Sequence, residues 1–522
     1  MQAVIEGNPA QAARQQAATQ RQIRGSSLFL VGRFLALSIN FAAQVLMVRY
    51  LSMSDYGGLA YALAIVAFIE PFATLGLQET VARFLPIYHE NRENEKLFGT
   101  ILLSTGAVFL TGLVISIVVW GAPGLASHIT AHQKLPLHLL TILIFLVPVD
   151  AIDELMNGLF ASFSGVRDIF FRKYLLGPAL KLGAVLLLIW QRSSVTFLAY
   201  GYLLASALGV LIYSWMLIRL LHDQHLLGEL RPRAIKVPVR ELFAFVLPSL
   251  SASLVTVAIH SVNIFLLGYL RTMTDVAYYR AVVPVAQLNN VVMSSFALLY
   301  TPSAARLLAK ADYAGINKLY WQTAAWMSVL SFPIFAVTFS LAQPLSTFLY
   351  GQRYEASGPI LALLSLGSYF NVLLGFNLQT LKVLERLRYI VVASVLAALA
   401  NVAVNLLLIP RHGAVGAAIG TAGTLIVYNL LMQIGLLPTS HFHVFDRRYV
   451  PVYLTIGLGA AGLFALQSLA SVSFYLALVL AGCVSLIVFA VTKKRLGIAD
   501  TFPELLRLPL MRFIFAEEIH VT

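Results

Sequence analysis

Long apolar runs alternate with short polar segments along nearly the whole chain. Most of these runs are about 18 residues or longer, which is the length that a helix needs to cross the hydrocarbon core of a membrane. The pattern predicts spans at 27–49, 58–77, 97–121, 137–162, 171–190, 195–218, 242–269, 277–300, 320–348, 358–381, 389–409, 414–437, 449–469 and 472–492. These are about 14 transmembrane helices, and because the number is even, both termini are expected on one side of the membrane.

The composition supports the same interpretation. Hydrophobic residues make up 59% of the chain and charged residues only 11%, whereas a soluble globular domain contains roughly 25% charged residues. The mean hydropathy is +0.81. The chain is therefore predicted to be an all-α polytopic membrane protein.

The distribution of Lys and Arg predicts the orientation of the spans. When the N-terminal tail, every second loop and the C-terminal tail are assigned to one face, that face receives 27 of the 36 Lys and Arg residues, the other face receives 7, and 2 lie within spans. Cytoplasmic loops carry the excess of positive charge. We therefore expect a multi-pass protein of the cytoplasmic (inner) membrane with both termini in the cytoplasm. The net charge of +13 is spread over these loops, so it indicates contact with a lipid bilayer and not with nucleic acid.

A short polar segment occurs twice between apolar runs. SMSDYGG occupies residues 52–58 and TMTDVAY occupies residues 272–278, and weaker matches recur at offsets of 220 to 223 residues. Six spans separate the two copies, so both copies have the same orientation, as in the parallel repeats of some transporters. Asp55 and Asp275 are expected to cap the helices that follow them.

The repeat predicts two six-helix lobes followed by two additional helices. The expected segments are a cytoplasmic N-terminal tail over 1–26, an N-terminal lobe over 27–225, a basic cytoplasmic linker over 226–240, a C-terminal lobe over 241–440, two further spans over 441–492, and a cytoplasmic, partly interfacial tail over 493–522. In repeats of this kind the substrate site is expected between the lobes.

Acidic side chains and one histidine occur inside the spans, where an ionisable group is costly and usually faces a cavity or a partner. Asp150, Asp153 and Glu154 share one helix face because their spacing is i, i+3 and i+4. Together with Glu70 and His260 they are candidates for coupling to H⁺ or Na⁺. The alternatives are structural: pairing of the carboxylates with Lys181 or Arg33, a bond from Glu70 to backbone freed at Pro71, and an interior hydrogen bond at His260.

Four basic residues lie within spans or near their outer ends: Arg33, Arg49, Lys181 and Arg280. A cavity lined by these side chains would suit an anionic substrate such as a phosphate or pyrophosphate, which Arg binds with two hydrogen bonds. For Arg49 and Arg280 the alternative is that each side chain extends to the lipid headgroups. The pattern therefore predicts a cationic substrate cavity.

Motifs of catalysis and of metal binding are missing from the sequence. It contains no G-x-x-x-x-G-K-[ST], no H-E-x-x-H and no C-x-x-C pattern, and the single cysteine, Cys483, excludes an internal disulfide and a Cys-rich zinc site. We expect a protein that is not an enzyme, that has no cofactor or metal, and that draws its energy from an ion gradient and not from ATP.

At residues 28–88 the sequence resembles the start of polysaccharide-export flippases of the multidrug/oligosaccharidyl-lipid/polysaccharide superfamily. The first span ends in Arg, an acidic-aromatic-Gly step follows the turn, and the second span leads to Leu-Gly-Leu and Arg-Phe. In this chain these features are Arg49, Leu51, Asp55-Tyr56-Gly57, Leu75-Gly76-Leu77 and Arg83-Phe84. Ser52 stands where the family usually has Gly.

The resemblance implies that the protein translocates an undecaprenyl-pyrophosphate-linked saccharide from the inner to the outer leaflet by alternating access. It implies a cationic cavity, coupling to an ion gradient or to the membrane potential, and glycan polymerase or assembly proteins as partners. A multidrug cation antiporter and a lipid II flippase have the same fold and remain open alternatives. A membrane-embedded glycan polymerase or ligase usually carries a large extracytoplasmic loop, which this sequence lacks.

Overall fold

The computed structural model describes residues 31–131, 133–163, 166–223, 235–239, 242, 246, 250, 261–437, 446–470 and 473–496. Within these residues the chain forms helices joined by short turns, and no strand is found. The predicted tails over 1–26 and 497–522, most of the linker, and His260 lie outside the described residues.

The helices have the following bounds in chain order. They are α1 Val31–Tyr50, α2 Met53–Thr74, α3 Leu77–Glu90, α4 Asn94–Gly121, α5 Pro123–Ile129, α6 Lys134–Leu143, α7 Leu146–Ser162, α8 Val166–Ile169, α9 Gly177–Trp190, α10 Val195–Asp223, α11 Ser261–Leu270, α12 Met273–Gln287, α13 Val291–Ala309, α14 Tyr313–Phe335, α15 Ala342–Tyr350, α16 Ser357–Leu373, α17 Asn377–Val383, α18 Leu387–Leu436, α19 Val450–Ala470 and α20 Phe474–Leu496. A π-helical turn, Phe170–Leu176, joins α8 to α9.

Ten helical segments in the described part of the chain are long and apolar enough to cross a membrane, and the number rises to twelve if each bent pair counts as one span. The bent pairs are α6 with α7, at 47°, and α12 with α13, at 44°. The 50-residue helix α18 is itself two helices joined at Gly413, whose backbone is not helical. It therefore contains the eleventh and twelfth predicted spans, and of the seventh predicted span only α11 and a few preceding residues are described.

The contacts divide the chain into two compact units, Met1–Phe265 and Leu266–Thr522. In the first unit, α7 packs against α2, α3, α4 and α10. In the second unit, α16 packs against α12, α14, α15 and α18. Each unit therefore has one central helix, and the acidic residues of the fourth predicted span lie on the central helix of the first unit.

The two polar segments adopt the same local structure. Ser52 is the N-cap of α2, and its Oγ accepts a hydrogen bond from the backbone N–H of Asp55 at 3.1 Å. Thr272 is the N-cap of α12, and its Oγ1 accepts one from the N–H of Asp275 at 3.3 Å. The expectation that the aspartates are the caps was wrong: the hydroxyl residues are the N-caps, and each Asp carboxylate accepts a hydrogen bond from the hydroxyl.

Two further turns recur at the same spacing. Arg92 and Ala311 follow the helices α3 and α13 with φ of 57° and 54°, and Arg192 and Gly413 have φ of 50° and 55°. These left-handed positions are costly for residues other than glycine. Their repetition within each unit supports the internal repeat that the sequence predicts.

The last two helices pack on the second unit. The Trp326 indole N–H donates to the Leu496 carbonyl at 2.8 Å, and the Ser340 hydroxyl donates to the Ala460 carbonyl at 3.1 Å. The rings of Phe348 and Phe474 stack 4.8 Å apart. Helices α19 and α20 therefore belong to the core of the second unit.

Candidate functional site

A cavity of about 180 Å³ lies within the first unit, where α1, α7, α9 and α10 meet. Its lining is mostly polar and charged. The lining residues are Asn40, Asp150, Asp153, Arg172, Lys173, Gly177, Pro178, Lys181, Ala205 and Ser206. Three of the sequence-predicted site residues, Asp150, Asp153 and Lys181, are therefore brought together.

Arg172 is the most buried charged residue of this lining, with 7% of its surface exposed. It lies in the π-helical turn, a rare element that is frequent at functional sites. Its Nε donates a hydrogen bond to the carbonyl oxygen of Gly209 at 3.2 Å, and its guanidinium carbon lies 5.6 Å from the centre of the Tyr213 ring. Gly209 makes this possible, because a Cβ atom there would lie 2.7 Å from Arg172 Nη2.

Asp153 is the ion-pair partner of Arg172. Arg172 Nη2 lies 2.5 Å from Asp153 Oδ1, and the two side chains are 8% and 28% exposed. A buried pair of this kind can be strongly destabilised when one partner is removed, since the other charge is left uncompensated. The expected pairing of the carboxylates with Lys181 or Arg33 is corrected here for Asp153, whose partner is Arg172.

A short chain of polar contacts continues from this pair along α7. Asn157 Nδ2 donates to Glu154 Oε2 at 3.1 Å, and the Tyr213 hydroxyl lies 3.5 Å from Asn157 Oδ1. The Tyr213 ring stacks on Phe160 with 4.2 Å between the ring centres. Glu154 is therefore oriented by an amide, while Asp153 is oriented by a cation.

Asp150 and Glu70 complete the group of carboxylates. Asp150 lies within electrostatic range of Lys181 and Arg172, and the Ser206 hydroxyl is within hydrogen-bonding reach of it. Glu70, on α2, is within electrostatic range of the three carboxylates of α7 and of Lys181. Four carboxylates thus surround two basic side chains, so that the state of each proton in the group depends on the others.

Asp168 lies outside the membrane-spanning segments, just before the π-helical turn. Burial raises the pKa of the Asp168 carboxyl, and the positive charge of Arg219 opposes this shift.

The remaining predicted cations do not line this cavity. Arg33 and Arg49 are exposed on α1, and Arg280 is half-buried on α12 in the second unit. His260 lies outside the described residues, so its role stays a prediction.

The second unit has amides where the first has acids. Asn290 and Asn371 lie 220 and 221 residues after Glu70 and Asp150, and Asn371 Nδ2 donates to Asn290 Oδ1 at 3.1 Å. Asn377 donates to Asn429 of α18 at 3.1 Å, which confirms that amides in this unit join neighbouring helices. The corresponding positions are therefore neutral in one unit and ionisable in the other.

Arg172 is the site residue that sequence reasoning missed. It was assigned to a basic cytoplasmic loop, together with Lys173, because it lies at the edge of the fifth predicted span. Its neighbours in FFRKYLL are apolar, and this is the one signal in the sequence that a side chain at this position could turn inward.

Comparisons with known proteins agree with this architecture. The sequence model of the family described as "Polysaccharide biosynthesis protein" matches residues 46–359, which is more than half of the chain. An uncharacterized membrane protein of Methanocaldococcus jannaschii is 21% identical over 452 residues, which cover 83% of this chain and 88% of the relative.

Two solved structures share the fold. The lipid II flippase MurJ in an inward closed conformation has a TM-score of 0.68 at 14% identity, covering 90% of this chain and 99% of that one. An inward-facing multidrug resistance MATE family transporter of the MOP superfamily has a TM-score of 0.62 at 14% identity, covering 77% and 96%. At these identities the likeness establishes the fold only.

Proposed function

Because the chain belongs to the family of polysaccharide biosynthesis proteins, we propose that it translocates a lipid-linked saccharide across the membrane. The proposed substrate is an undecaprenyl-pyrophosphate-linked oligosaccharide or polysaccharide unit. It moves from the cytoplasmic to the outer leaflet of the cytoplasmic membrane by alternating access. Glycan polymerase or assembly proteins are the proposed partners.

The observation that carries this proposal beyond the family is the set of charges around the cavity of the first unit. Lys181 lines the cavity and is exposed, whereas Arg172 is buried and fixed by Asp153 and by the Gly209 carbonyl. An ammonium group on a flexible stem is free to reorient toward a phosphate oxygen. We therefore assign the contact with the pyrophosphate to Lys181 and the positioning of Asp153 to Arg172.

The carboxylates give Lys181 a second partner. In the empty carrier the ammonium group is balanced by Asp150, with which it interacts electrostatically. A bound pyrophosphate competes with that carboxylate for the same cation, and when the headgroup leaves, the carboxylate balances the cation again. This exchange keeps an uncompensated charge out of a low-dielectric environment in both states.

The membrane potential is a suitable driving force for an anionic headgroup. An inside-negative potential favours outward movement of negative charge, by about 2.3 kcal/mol per unit charge and per 100 mV. H⁺ or Na⁺ coupling would act through Glu70, Asp150, Asp153, Glu154 and His260, the candidates named from the sequence. Arg33, Arg49 and Arg280 remain proposed contacts along the path of the headgroup.

The test uses the full chain in proteoliposomes with a fluorescent undecaprenyl-pyrophosphate-linked saccharide. The fraction of the lipid in each leaflet is measured with a membrane-impermeant quencher. A potassium diffusion potential, a pH gradient and a Na⁺ gradient are imposed separately. Faster movement under one gradient, abolished by Lys181→Met, supports the proposal; no movement of the lipid under any of them refutes it.

A cell-based version asks whether the substrate accumulates. Depletion of the protein is expected to leave lipid-linked saccharide on the cytoplasmic leaflet. Unchanged leaflet distribution after depletion would contradict the proposal.

The second candidate is a multidrug cation antiporter. Four carboxylates grouped around one cavity favour it, because an acidic site can exchange protons for an organic cation. In the same proteoliposomes an antiporter would export a cationic dye against a pH gradient and would leave the lipid-linked saccharide in place. Lipid II, which differs in the headgroup, is distinguished by substituting it for the saccharide probe.

A further inference from the structure

We propose that the second unit carries a saccharide-binding subsite at the end of α12 predicted to face away from the cytoplasm. The subsite is an open pocket of about 490 Å³ between α12, α15 and the start of α16, within the roughly 300–1,000 Å³ that small-molecule pockets occupy. Tyr278, Gln343, Gln352, Arg353 and Glu355 form its polar lining. The inference rests on the proposed function, and it names the part of the substrate that this surface would hold.

Glu355 is held in place by two amides. Gln343 Nε2 donates to Glu355 Oε1 at 2.7 Å, and Gln352 Nε2 donates to Glu355 Oε2 at 2.7 Å. An ionised carboxylate has about four acceptor positions, so both oxygens retain capacity for a further donor. Two adjacent hydroxyl groups of a sugar can use this pair of oxygens.

The backbone around the pocket is built for close approach. A Cβ atom at Gly358 would lie 2.7 Å from the Cα atom of Gln343, so α16 can begin directly against α15. Gly351 turns the chain with φ of 90°, and the Ser357 hydroxyl donates to the Tyr278 carbonyl at 3.1 Å. The polar side chains are therefore presented by a defined turn that is tied to α12.

Aromatic rings form one side of the pocket. The ring of Tyr278 contacts that of Tyr354 edge to face, with 6.1 Å between centres, and the guanidinium carbon of Arg353 lies 5.6 Å from the centre of the Tyr354 ring. An aromatic ring combines an apolar face with a polar tip. It can pack against the C–H face of a sugar while its neighbours bind the hydroxyl groups.

The charges of the pocket select a neutral polar ligand. Arg353 and Glu355 contribute one positive and one negative charge to the same lining. A phosphate group gains from one and is repelled by the other, and the same holds for an organic cation. Hydroxyl groups both donate and accept hydrogen bonds, so a neutral sugar satisfies both charged groups and the amides.

The first unit has no such surface at the corresponding place. Gly58 lies 220 residues before Tyr278, and a Cβ atom there would lie 3.0 Å from Leu135 Cδ2. The contact in the first unit is thus a leucine side chain on a glycine. The aromatic and amide groups are specific to the second unit, as expected for a binding function and not for a requirement of the fold.

The proposal is tested by saturation-transfer NMR on the full-length protein in nanodiscs. The probes are free glucose, galactose, mannose and N-acetylglucosamine. At least one of them is expected to bind the wild-type protein. Glu355→Gln and Tyr278→Leu are each expected to weaken its binding about tenfold or more, since a hydrogen bond to a charged group contributes about 1.5–3 kcal/mol. Glu90→Gln, at an exposed carboxylate of the first unit, is the matched control and should bind normally.

Two results would overturn the subsite: no saccharide binds the wild-type protein, or both variants bind as tightly as the control. Thermal unfolding of each variant shows whether a loss of binding reflects loss of the fold, and the two variants alter opposite sides of the pocket. The same samples are assayed for movement of the lipid-linked saccharide. If the wild-type protein moves the lipid and the variants bind sugars normally, the subsite is wrong and the proposed function stands; if the wild-type protein moves no lipid, the proposed function fails.

Discussion

Arg172 Nη2 lies 2.5 Å from Asp153 Oδ1, and this contact joins the π-helical turn of the fifth span to the central helix of the first unit. The guanidinium group also donates to the Gly209 carbonyl on α10. One buried side chain thus connects three helices around the cavity. The ion pair therefore serves two purposes: it fixes the packing and it sets the charge of the proposed site.

Removing one member of the pair should destabilise the protein strongly. Arg172→Met leaves the Asp153 carboxylate without its cation, and the free energy of unfolding is expected to fall by about 3–5 kcal/mol. Asp153→Asn should have a similar effect, because it leaves the guanidinium uncompensated. The measurement is unfolding of the purified protein in detergent.

The double variant is the control for this prediction. Arg172→Met combined with Asp153→Asn removes both charges, so its loss of stability is expected to be well below the sum of the single losses. Additive effects would show that the two side chains do not interact in the folded protein.

Gly209 should tolerate no side chain while Arg172 is present. Gly209→Ala places a methyl group 2.7 Å from Arg172 Nη2, and we expect a loss of about 1–3 kcal/mol from the strain. In the Arg172→Met background the loss should shrink. Gly106→Ala, on α4, meets no atom within 4 Å and is the matched control; if both alanine variants unfold alike, the guanidinium does not occupy this place.

The sequence predicted the architecture because membrane spans depend on local properties. The apolar runs give the helices, the hydroxyl residue three positions before Asp gives the repeated helix start, and the motifs of residues 28–88 gave the family, which the match over 46–359 confirms. The shared face of Asp150, Asp153 and Glu154 also followed from helical spacing alone.

The partners within the site depended on tertiary packing and could not be read from spacing. Arg172 follows a loop and was counted as cytoplasmic, but the packing of α9 against α10 brings it under Gly209, in contact with Asp153. The reverse holds for Arg33 and Arg49, whose positions within or at the end of a span indicated a cavity. In the structure both are exposed on α1, and hydropathy alone does not say which way a helix faces.

The bend inside α18 depends on glycine. Gly413 has φ of 55°, and a Cβ atom there would lie 2.8 Å from Asp275 Oδ1. Gly413→Ala therefore meets both an unfavourable backbone conformation and a steric conflict, and should cost about 1–3 kcal/mol in thermal unfolding. Gly423→Ala, on the same helix with no atom within 4 Å, should be neutral or slightly stabilising. Equal stability of the two variants would contradict the described bend.

Lys181 is expected to separate a substrate contact from a structural cation. Lys181→Met should leave the protein folded, because the side chain is exposed to the cavity, yet it should lower the rate of saccharide-lipid movement about tenfold or more, as expected for loss of a charge-assisted hydrogen bond. Lys181→Arg keeps the positive charge and should retain most of the rate. Lys310→Met, an exposed lysine of the second unit, controls for loss of charge elsewhere. If Arg33→Met or Arg280→Ala abolishes movement while Lys181→Met does not, the headgroup contacts those arginines, and the cavity of the first unit has only the structural role of its buried ion pair.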